Sequence, residues 1–191
     1  EEFCRELAGL PNLCPQFHLS MQSGCDAVLA RMKRKYDTAG YAESLTRLRT
    51  WFPDCAVTTD MIVAFPGETE EEFRQSLQFI RACRFADMHI FPYSRRPGTP
   101  AADMPGQLGN AVKEQRSRAA IAAAAEMSAD FRRALIGTRQ AVLVEGMEGE
   151  FSVGHAPNYV KVYIPGQCPR NEIQTVTVTA LHRDGVTAER N

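Results

Sequence analysis

A carboxylate within an otherwise apolar strand is the feature of this sequence that first suggests chemistry. Residues 58–73 read TTDMIVAFPGETEEEF, and Asp60 lies in the part that has the composition of a buried strand. Burying a carboxylate without a partner is costly, so its side chain must reach a partner or face a cavity. We interpret Asp60 as pointing into a ligand cavity; the alternative is that it hydrogen-bonds a neighbouring strand or turn.

Two other strand-like segments also carry polar or aromatic side chains at alternate positions. They are His18, Ser20 and Gln22 in residues 17–22, and His89, Phe91 and Tyr93 in residues 87–93. Alternate residues of a strand face the same side, and strands covered by helices on both faces are normally apolar throughout. The pattern predicts that one face of each strand packs against helices and that the other face lines an interior shared by the strands. An isolated strand histidine is more often an interior residue than a catalyst, and no catalytic residue is assigned.

The cysteines are numerous but scattered. The six are Cys4, Cys14, Cys25, Cys55, Cys83 and Cys168. None forms a Cys-x-x-Cys pair, and the long chain has no mark of secretion, so separate buried thiols are favoured over a disulfide framework. The spacing predicts no metal site and no iron–sulfur cluster within this chain.

The composition is that of a globular protein. The chain has 191 residues, 44% of them hydrophobic, and a formal net charge of −1. It contains neither a membrane-length apolar run nor a signal-type amino terminus, so we expect a cytoplasmic location. The opening EEFCRELAGL lacks an initiator Met and reads as the inside of a helix, so we expect the chain to be a fragment.

Strands and helices are predicted to alternate in the first part of the chain. The strands 17–22, 56–65 and 87–93 are separated by helical patterns at 26–36, 39–52 and 69–84. Thr69 and Glu72 have the spacing of a capping box, and an alanine-rich helix is predicted over 111–136. Such alternation indicates a parallel sheet, here the second half of a partial (β/α) barrel whose chemistry lies at the carboxyl ends of the strands.

The pattern changes after Gly137. Five short strand-like runs, separated by Gly, Pro and Asn, follow in about fifty residues, which indicates a small closed barrel of the oligonucleotide-binding kind. We therefore predict two domains, residues 1–137 and 138–191.

Basic and aromatic residues suggest an RNA-binding role. The candidates are Lys33, Arg34, Lys35, Arg95, Arg96, Tyr159 and Lys161. Two basic segments next to strand ends, together with a small barrel, are compatible with phosphate contacts, although a basic run is often only a solvated helix face.

Several motifs resemble those of one enzyme family. They are FHLSMQSGCDAVLARMKRKY, TTDMIVAFPGETEEEF, FPYSRRPGTPAADM and GHAPNYVKV. In this order they resemble the radical S-adenosylmethionine (SAM) tRNA methylthiotransferases, whose terminal barrel is called TRAM. The motifs CPQFHLSMQSG and GHAPNYV look most like the threonylcarbamoyladenosine branch (MtaB type); the isopentenyladenosine and ribosomal-protein branches are the alternatives.

The resemblance implies SAM and two 4Fe–4S clusters in the intact enzyme, a tRNA anticodon stem-loop as partner, and an electron donor. The family's Cys-x-x-x-Cys-x-x-Cys motif has no match here, so none of these clusters would be ligated by this chain and the fragment alone would be inactive. The cofactor-binding residues implied by the motifs are Gln22, Ser23, Asp60, Ile62, Ala64, Gly67, Phe91 and Tyr93. The family usually has Gly where this chain has Ala64.

The implied substrate is an adenosine that carries a threonylcarbamoyl group. Its carboxylate would need polar partners, and Ser94, Arg95 and Arg96 could supply them, whereas an isopentenyl chain would need apolar walls. A function of another class also stays open, namely an RNA-binding module without chemistry.

Overall fold

The computed structural model describes residues 1–190, and its first half is built on a three-stranded parallel sheet. The strands are β1 (Gln16–His18), β2 (Ala56–Val63) and β3 (Asp87–Pro92), in the order β1-β2-β3. The predicted parallel sheet is thus confirmed. The first strand is shorter than the predicted 17–22, because Gln22 turns to a φ of 68° and pairs with Met61 only as an isolated bridge.

Five helices accompany the sheet. They are α1 (Glu2–Ala8), α2 (Asp26–Arg31), α3 (Thr38–Trp51), α4 (Glu70–Cys83) and α5 (Asn110–Ala134). The prediction that α2 extends to residue 36 is wrong, since Lys33 adopts a φ of 57°. Tyr36 instead reaches back and donates its hydroxyl to the carbonyl oxygens of Ser20 and Met21.

The predicted capping box of α4 is confirmed. Thr69 Oγ1 accepts from the backbone N–H of Glu72, and the Glu72 carboxylate accepts from the backbone N–H of Thr69 at 2.8 Å. Arg31 adds two hydrogen bonds to that carboxylate, at 2.9 and 2.7 Å, which lowers the pKa of Glu72. The end of α2 is thereby fixed to the start of α4.

The apolar face of the sheet forms the main core. Met21, Val57, Met61, Val63 and Met88 pack against the helices. The helices contribute Tyr41, Leu45 and Leu48 of α3, Phe73 and Ile80 of α4, and Ala120, Ala123, Ala124 and Met127 of α5. The apolar faces of α3 and α4 are therefore buried, with Leu77 only partly so. The alanines of α5 are small enough to let this helix lie close to β3.

The second half is a closed five-stranded barrel, as the run of short strands predicts. Its strands are β4 (Arg139–Glu148), β5 (Phe151–His155), β6 (Lys161–Pro165), β7 (Ile173–His182) and β8 (Gly185–Arg190). They close in the order β4-β5-β6-β8-β7, with β6 and β8 parallel. Val142, Val162, Val176 and Val186 fill its interior.

Two glycines are required where barrel strands approach one another. A Cβ added at Gly154 would lie 1.9 Å from the Leu143 carbonyl oxygen, and one at Gly185 would lie 2.2 Å from that of Lys161. Both distances are far below van der Waals contact, so no side chain fits at either position.

Helix α5 connects the two halves. Leu135, just after its last turn, packs into the barrel core, and Phe131 lies against the same cluster. The division into domains at residue 137 stays a prediction. Within residues 1–190, no helix is both long and apolar enough to cross a bilayer.

Candidate functional site

The second face of the sheet is polar and open, as the alternating sequence predicts. His18, Ser20, His89 and Phe91 are exposed on it, and Asp60 is partly exposed. The opposite face holds the buried side chains described above. We call the face that carries Asp60 the open face.

Asp60 lies at the centre of the open face, between two histidines. Its Oδ2 is 3.3 Å from His18 Nε2 on β1, and its Oδ1 is 3.2 Å from His89 Nδ1 on β3. His89 is the register partner of Asp60, and His18 pairs with Thr58, two residues earlier on the same face of β2. Of the two interpretations of Asp60, this geometry supports hydrogen bonding to neighbouring strands; contact with a ligand stays a prediction.

Hydroxyl groups hold His18 in place. Its Nδ1 lies 3.0 Å from Thr58 Oγ1 and its Nε2 lies 3.2 Å from Ser20 Oγ. Gln16 in turn donates to Thr58 Oγ1 at 3.2 Å. Both ring nitrogens of His18 therefore have a hydroxyl partner that fixes the orientation of the imidazole. Sequence reasoning missed these contacts because it treated each histidine as isolated.

The predicted cofactor-binding residues fall into two groups. The first group is accessible: Gln22, Asp60 and Ile62 are partly exposed, and Phe91 is half-exposed. Within it, Ile62 of β2 and Phe91 of β3 are register partners. The others are Ser23, Ala64 and Tyr93, which are buried, and Gly67, which lies in an exposed turn. Ser23 Oγ lies 3.3 Å from Ser76 Oγ of α4 and accepts from the backbone N–H of Cys25, so it faces a helix. The first group therefore places an apolar pair beside an amide, which can donate and accept hydrogen bonds, and a carboxylate, which accepts them.

A buried ion pair supports the carboxyl end of β2. Ala64 has a φ of 59°, and its backbone N–H donates to Glu68 Oε2 at 2.6 Å. Arg116 of α5 donates to the same oxygen at 2.7 Å and to the Glu68 carbonyl oxygen at 3.0 Å. Burial raises the pKa of Glu68, and the hydrogen bond from Arg116 opposes that rise. Sequence reasoning missed Arg116, which has no distinguishing pattern within the alanine-rich helix.

Tyr93 lies behind the same edge. Its ring packs edge-on against Phe65 with 5.4 Å between centroids, and Lys113 Nζ lies 5.5 Å from the centre of the ring. Its hydroxyl is buried and has no hydrogen-bond partner among the described residues.

Two of the predicted RNA-binding segments lie at this carboxyl edge. A small cluster of Val28, Met32, Phe65, Tyr93 and Met104 packs there. Lys33, Arg34 and Lys35 follow Met32 directly, and Arg95 and Arg96 come two and three residues after Tyr93. All five side chains are exposed, and within residues 1–190 none has an ion-pair partner. These charges are available for an anion.

The barrel residues lie at the opposite end of the sheet. A groove of about 300 Å³ between the amino ends of the strands and the barrel is lined by Gln16, Thr58 and Tyr159 among others. Tyr159 is 71% exposed and stacks on His155, with 4.7 Å between ring centroids. Lys161 is paired with Glu148 at 2.7 Å and Asp184 at 3.4 Å, so its charge is already neutralised.

The cysteines do not form a cluster site. All six are free; Cys25, Cys55, Cys83 and Cys168 are buried. Burial raises the pKa of Cys55, and raises that of Cys83 to about 12, which disfavours the thiolate that iron requires. In the described part of the chain, the one group of three or more His, Cys, Asp or Glu close enough to hold a metal ion is His18, Asp60 and His89. An iron–sulfur cluster therefore does not fit the cysteines of this chain.

Comparison with known proteins extends the description. Residues 1–80 match the profile of the radical SAM superfamily. The chain is 40% identical over 180 residues, 91% of its length, to a protein of Acidothermus cellulolyticus. It is 46% identical over 75% of its length to one of Saccharopolyspora erythraea, and 43% identical over 78% to one of Mycobacterium sp. strain MCS. All three carry the name tRNA-2-methylthio-N(6)-dimethylallyladenosine synthase.

These relatives are longer than the present chain. The chain spans 36% of the Acidothermus protein, 29% of the Saccharopolyspora protein and 28% of the Mycobacterium protein. Their names specify dimethylallyladenosine and not threonylcarbamoyladenosine. The expected threonylcarbamoyladenosine branch is therefore not supported.

Proposed function

We propose that this chain forms the sheet-and-barrel part of a radical SAM tRNA methylthiotransferase. The premise is that the chain is related along most of its length to tRNA-2-methylthio-N(6)-dimethylallyladenosine synthases. The similarity to the Acidothermus protein carries this proposal, because it extends over 91% of the chain and so includes both the sheet and the barrel. The protein would add a methylthio group to an adenosine beside the anticodon. With tRNA as substrate, we expect it in the cytoplasm.

The names of the relatives support dimethylallyladenosine as the substrate class. A dimethylallyl (isopentenyl) group is a hydrocarbon chain, which needs apolar walls and no anion partner. Arg95 and Arg96 are then assigned to the RNA backbone and not to a threonylcarbamoyl carboxylate.

The open face is proposed to position SAM. When bound, SAM and its cluster supply the radical chemistry. Ile62 and Phe91 would hold the adenine between apolar surfaces, while Gln22 and Asp60 would accept or donate hydrogen bonds at the polar groups. The cysteines that ligate the clusters, and the contacts of an electron donor, would come from outside these 191 residues.

The RNA would be held at two places, the carboxyl edge of the sheet and the barrel at its amino end. The five unpaired basic residues at the carboxyl edge are proposed to contact phosphates, and the stacked Tyr159 on the barrel is proposed to hold a nucleobase by its ring face. Lys161 stays in the proposed RNA-binding set only as a weaker contact, since binding would have to break its ion pairs with Glu148 and Asp184.

The test is tRNA analysis after expression of the whole gene that encodes this chain. The host should lack methylthiolation of both dimethylallyladenosine and threonylcarbamoyladenosine, and digested tRNA should be examined by mass spectrometry. We expect the methylthio mass on dimethylallyladenosine. Its appearance on threonylcarbamoyladenosine alone, or on neither nucleoside, would contradict the proposal.

A pair of variants tests the part played by the open face. Phe91→Ala removes the exposed ring next to Ile62 and should reduce methylthiolation at least tenfold. Phe3→Ala is the matched control, because Phe3 is 72% exposed on α1 and touches none of the proposed site. Equal activity of the two variants would remove Phe91 from the site.

A further inference from the structure

Three side chains on the open face meet at one point, and the proposed function uses only one of them, Asp60. Asp60 offers one carboxylate oxygen to His18 Nε2 at 3.3 Å and the other to His89 Nδ1 at 3.2 Å. One ligand atom from each of the three residues can be chosen so that all lie within 4.8 Å of one another. Two imidazoles and a carboxylate are a recurrent ligand set for transition metals in proteins.

We propose that His18, Asp60 and His89 bind one divalent transition-metal ion, with Zn²⁺, Fe²⁺ and Co²⁺ as the class that the ligands fit. Nitrogen donors suit these ions, whereas Ca²⁺ and Mg²⁺ prefer sites built from oxygen alone. A bound ion would occupy the Asp60 carboxylate that the proposed function assigns to SAM, but the inference rests on side-chain geometry alone and its test does not depend on methylthiotransferase activity.

The distances agree with such a site. With bonds of about 2.0 to 2.1 Å, two ligand atoms of a tetrahedral zinc ion lie roughly 3.3 to 3.4 Å apart. The two contacts of Asp60 with the histidines are 3.3 and 3.2 Å.

The backbone fixes the three residues relative to one another. They come from three adjacent strands, and the central residue, Asp60, is hydrogen-bonded through its carbonyl oxygen to the backbone N–H of Gln22. The side chains thus project from a rigid sheet and not from loops, so little conformational entropy is lost when an ion binds.

A hydroxyl group completes the arrangement around His18. The Nδ1 of His18 lies 3.0 Å from Thr58 Oγ1, and this contact turns Nε2 towards Asp60. Metal-ligating histidines usually donate their other nitrogen to such a partner, which fixes the ring and its tautomer.

The site leaves coordination positions open. The side chains of His18, Asp60 and His89 are 38%, 28% and 61% exposed. A bound ion would therefore keep water, or a group of another molecule, as a further ligand. Sites with three protein ligands and one open position are those in which zinc acts as a Lewis acid.

The test is a metal titration of the 191-residue chain after treatment with a chelator. Co²⁺ is added while its visible d–d absorption is followed, and Zn²⁺ is then used to displace it. We expect one ion per chain and a spectrum without the near-ultraviolet charge-transfer band that thiolate ligands give. Asp60→Asn, which keeps the size of the side chain, and His89→Ala should each weaken binding at least tenfold.

The matched control is His155→Ala. His155 also lies beside a carboxylate, Glu145, at 2.8 Å, but on the barrel and without a second histidine. This variant should bind Co²⁺ with the same affinity as the unchanged chain. Far-ultraviolet circular dichroism should show that all variants are folded. The proposal is overturned if no ion binds, if the spectrum shows thiolate ligation, or if His89→Ala binds as tightly as His155→Ala. In the first case the three residues form only a hydrogen-bonded His–Asp–His group.

Discussion

At the scale of single residues, burial divides the cysteines into two chemical classes. Cys83 and Cys55 lie in the main core, and the loss of solvation raises the pKa of both thiols. Cys14 is exposed on the segment that precedes β1. Because the thiolate is the reactive form, a buried thiol with a raised pKa reacts slowly even with a small reagent.

Alkylation of the folded chain should therefore be selective. With iodoacetamide at pH 8, we expect Cys14 to be modified at least about 100-fold faster than Cys83. Peptide mass spectrometry over a time course measures both rates. In urea, where the core is lost, the two rates should converge. Similar rates in the folded chain would show that the region around Cys83 opens readily.

At the scale of elements, the buried pair of Glu68 and Arg116 fastens α5 to the turn between β2 and α4. Arg116 also lies over the ring of Phe73, with 5.2 Å to its centre. A buried charge that loses its partner is strongly destabilising, although a well-packed apolar replacement of both partners is often tolerated. The pair therefore makes the position of α5 depend on one side chain.

Arg116→Met should lower the free energy of unfolding by about 3 to 5 kcal/mol at pH 7. Urea denaturation followed by circular dichroism measures this change. The double variant Glu68→Gln with Arg116→Met is the control, and it should recover a large part of the loss because no unpaired charge remains. A loss below about 1 kcal/mol in the single variant would mean that water reaches Glu68.

The same variant should show a characteristic dependence on pH. The folded chain holds the pKa of Glu68 above its ordinary value of 4.5. At pH values between 4.5 and the raised pKa of Glu68, the folded state binds more protons than the unfolded state. The contribution of Glu68 to stability therefore falls as the pH rises through this range. Removing Arg116 raises the pKa further. The difference in the free energy of unfolding between the unchanged chain and Arg116→Met should therefore become smaller as the pH is lowered towards 4.5. The double variant should not show this trend.

At the scale of the whole molecule, the proposed RNA contacts lie at opposite ends of one sheet. The basic residues follow the carboxyl ends of the strands, whereas Tyr159 lies in the groove at their amino ends. Strand β2 has eight residues, so the two sites are separated by roughly 25 Å. An RNA that touches both has to extend across the open face.

Binding of tRNA by this chain should be weak and should depend steeply on salt. With about three to five phosphate contacts, the slope of log affinity against log salt should be roughly −2 to −4.5. The double variant Arg95→Ala, Arg96→Ala should make this slope less negative by up to about 2. Fluorescence anisotropy with a labelled anticodon stem-loop measures it.

Arg47→Ala with Arg74→Ala is the matched control for that pair. Both arginines are exposed on α3 and α4, and each is engaged with a glutamate of its own helix. This variant should keep the original slope. An equal effect of the two double variants would indicate binding to net charge alone.

The sequence predicted those features that depend on local pattern. The strand predicted at 56–65 and observed at 56–63, the capping box of Thr69 and the five barrel strands each have a periodicity or spacing that short segments reveal. The predicted extension of α2 to residue 36 failed because Tyr36 gains two hydrogen bonds to the segment after β1, a tertiary contact that propensity does not contain. The contacts of Asp60 with both histidines and of Glu68 with Arg116 join residues 29 to 48 positions apart, and only the folded sheet brings them together.

The two barrel glycines restrict how the gene for this chain can change. Every glycine codon begins with two guanines, so any point mutation at either of those bases replaces Gly154 or Gly185 with a side chain or a stop. A Cβ at these positions would lie about 2 Å from a backbone oxygen of the neighbouring strand, and backbone in a closed barrel cannot move away. In a library of random substitutions selected for folded protein, these two codons should keep their first two bases while the exposed glycine at 109, which has open space around it, varies freely.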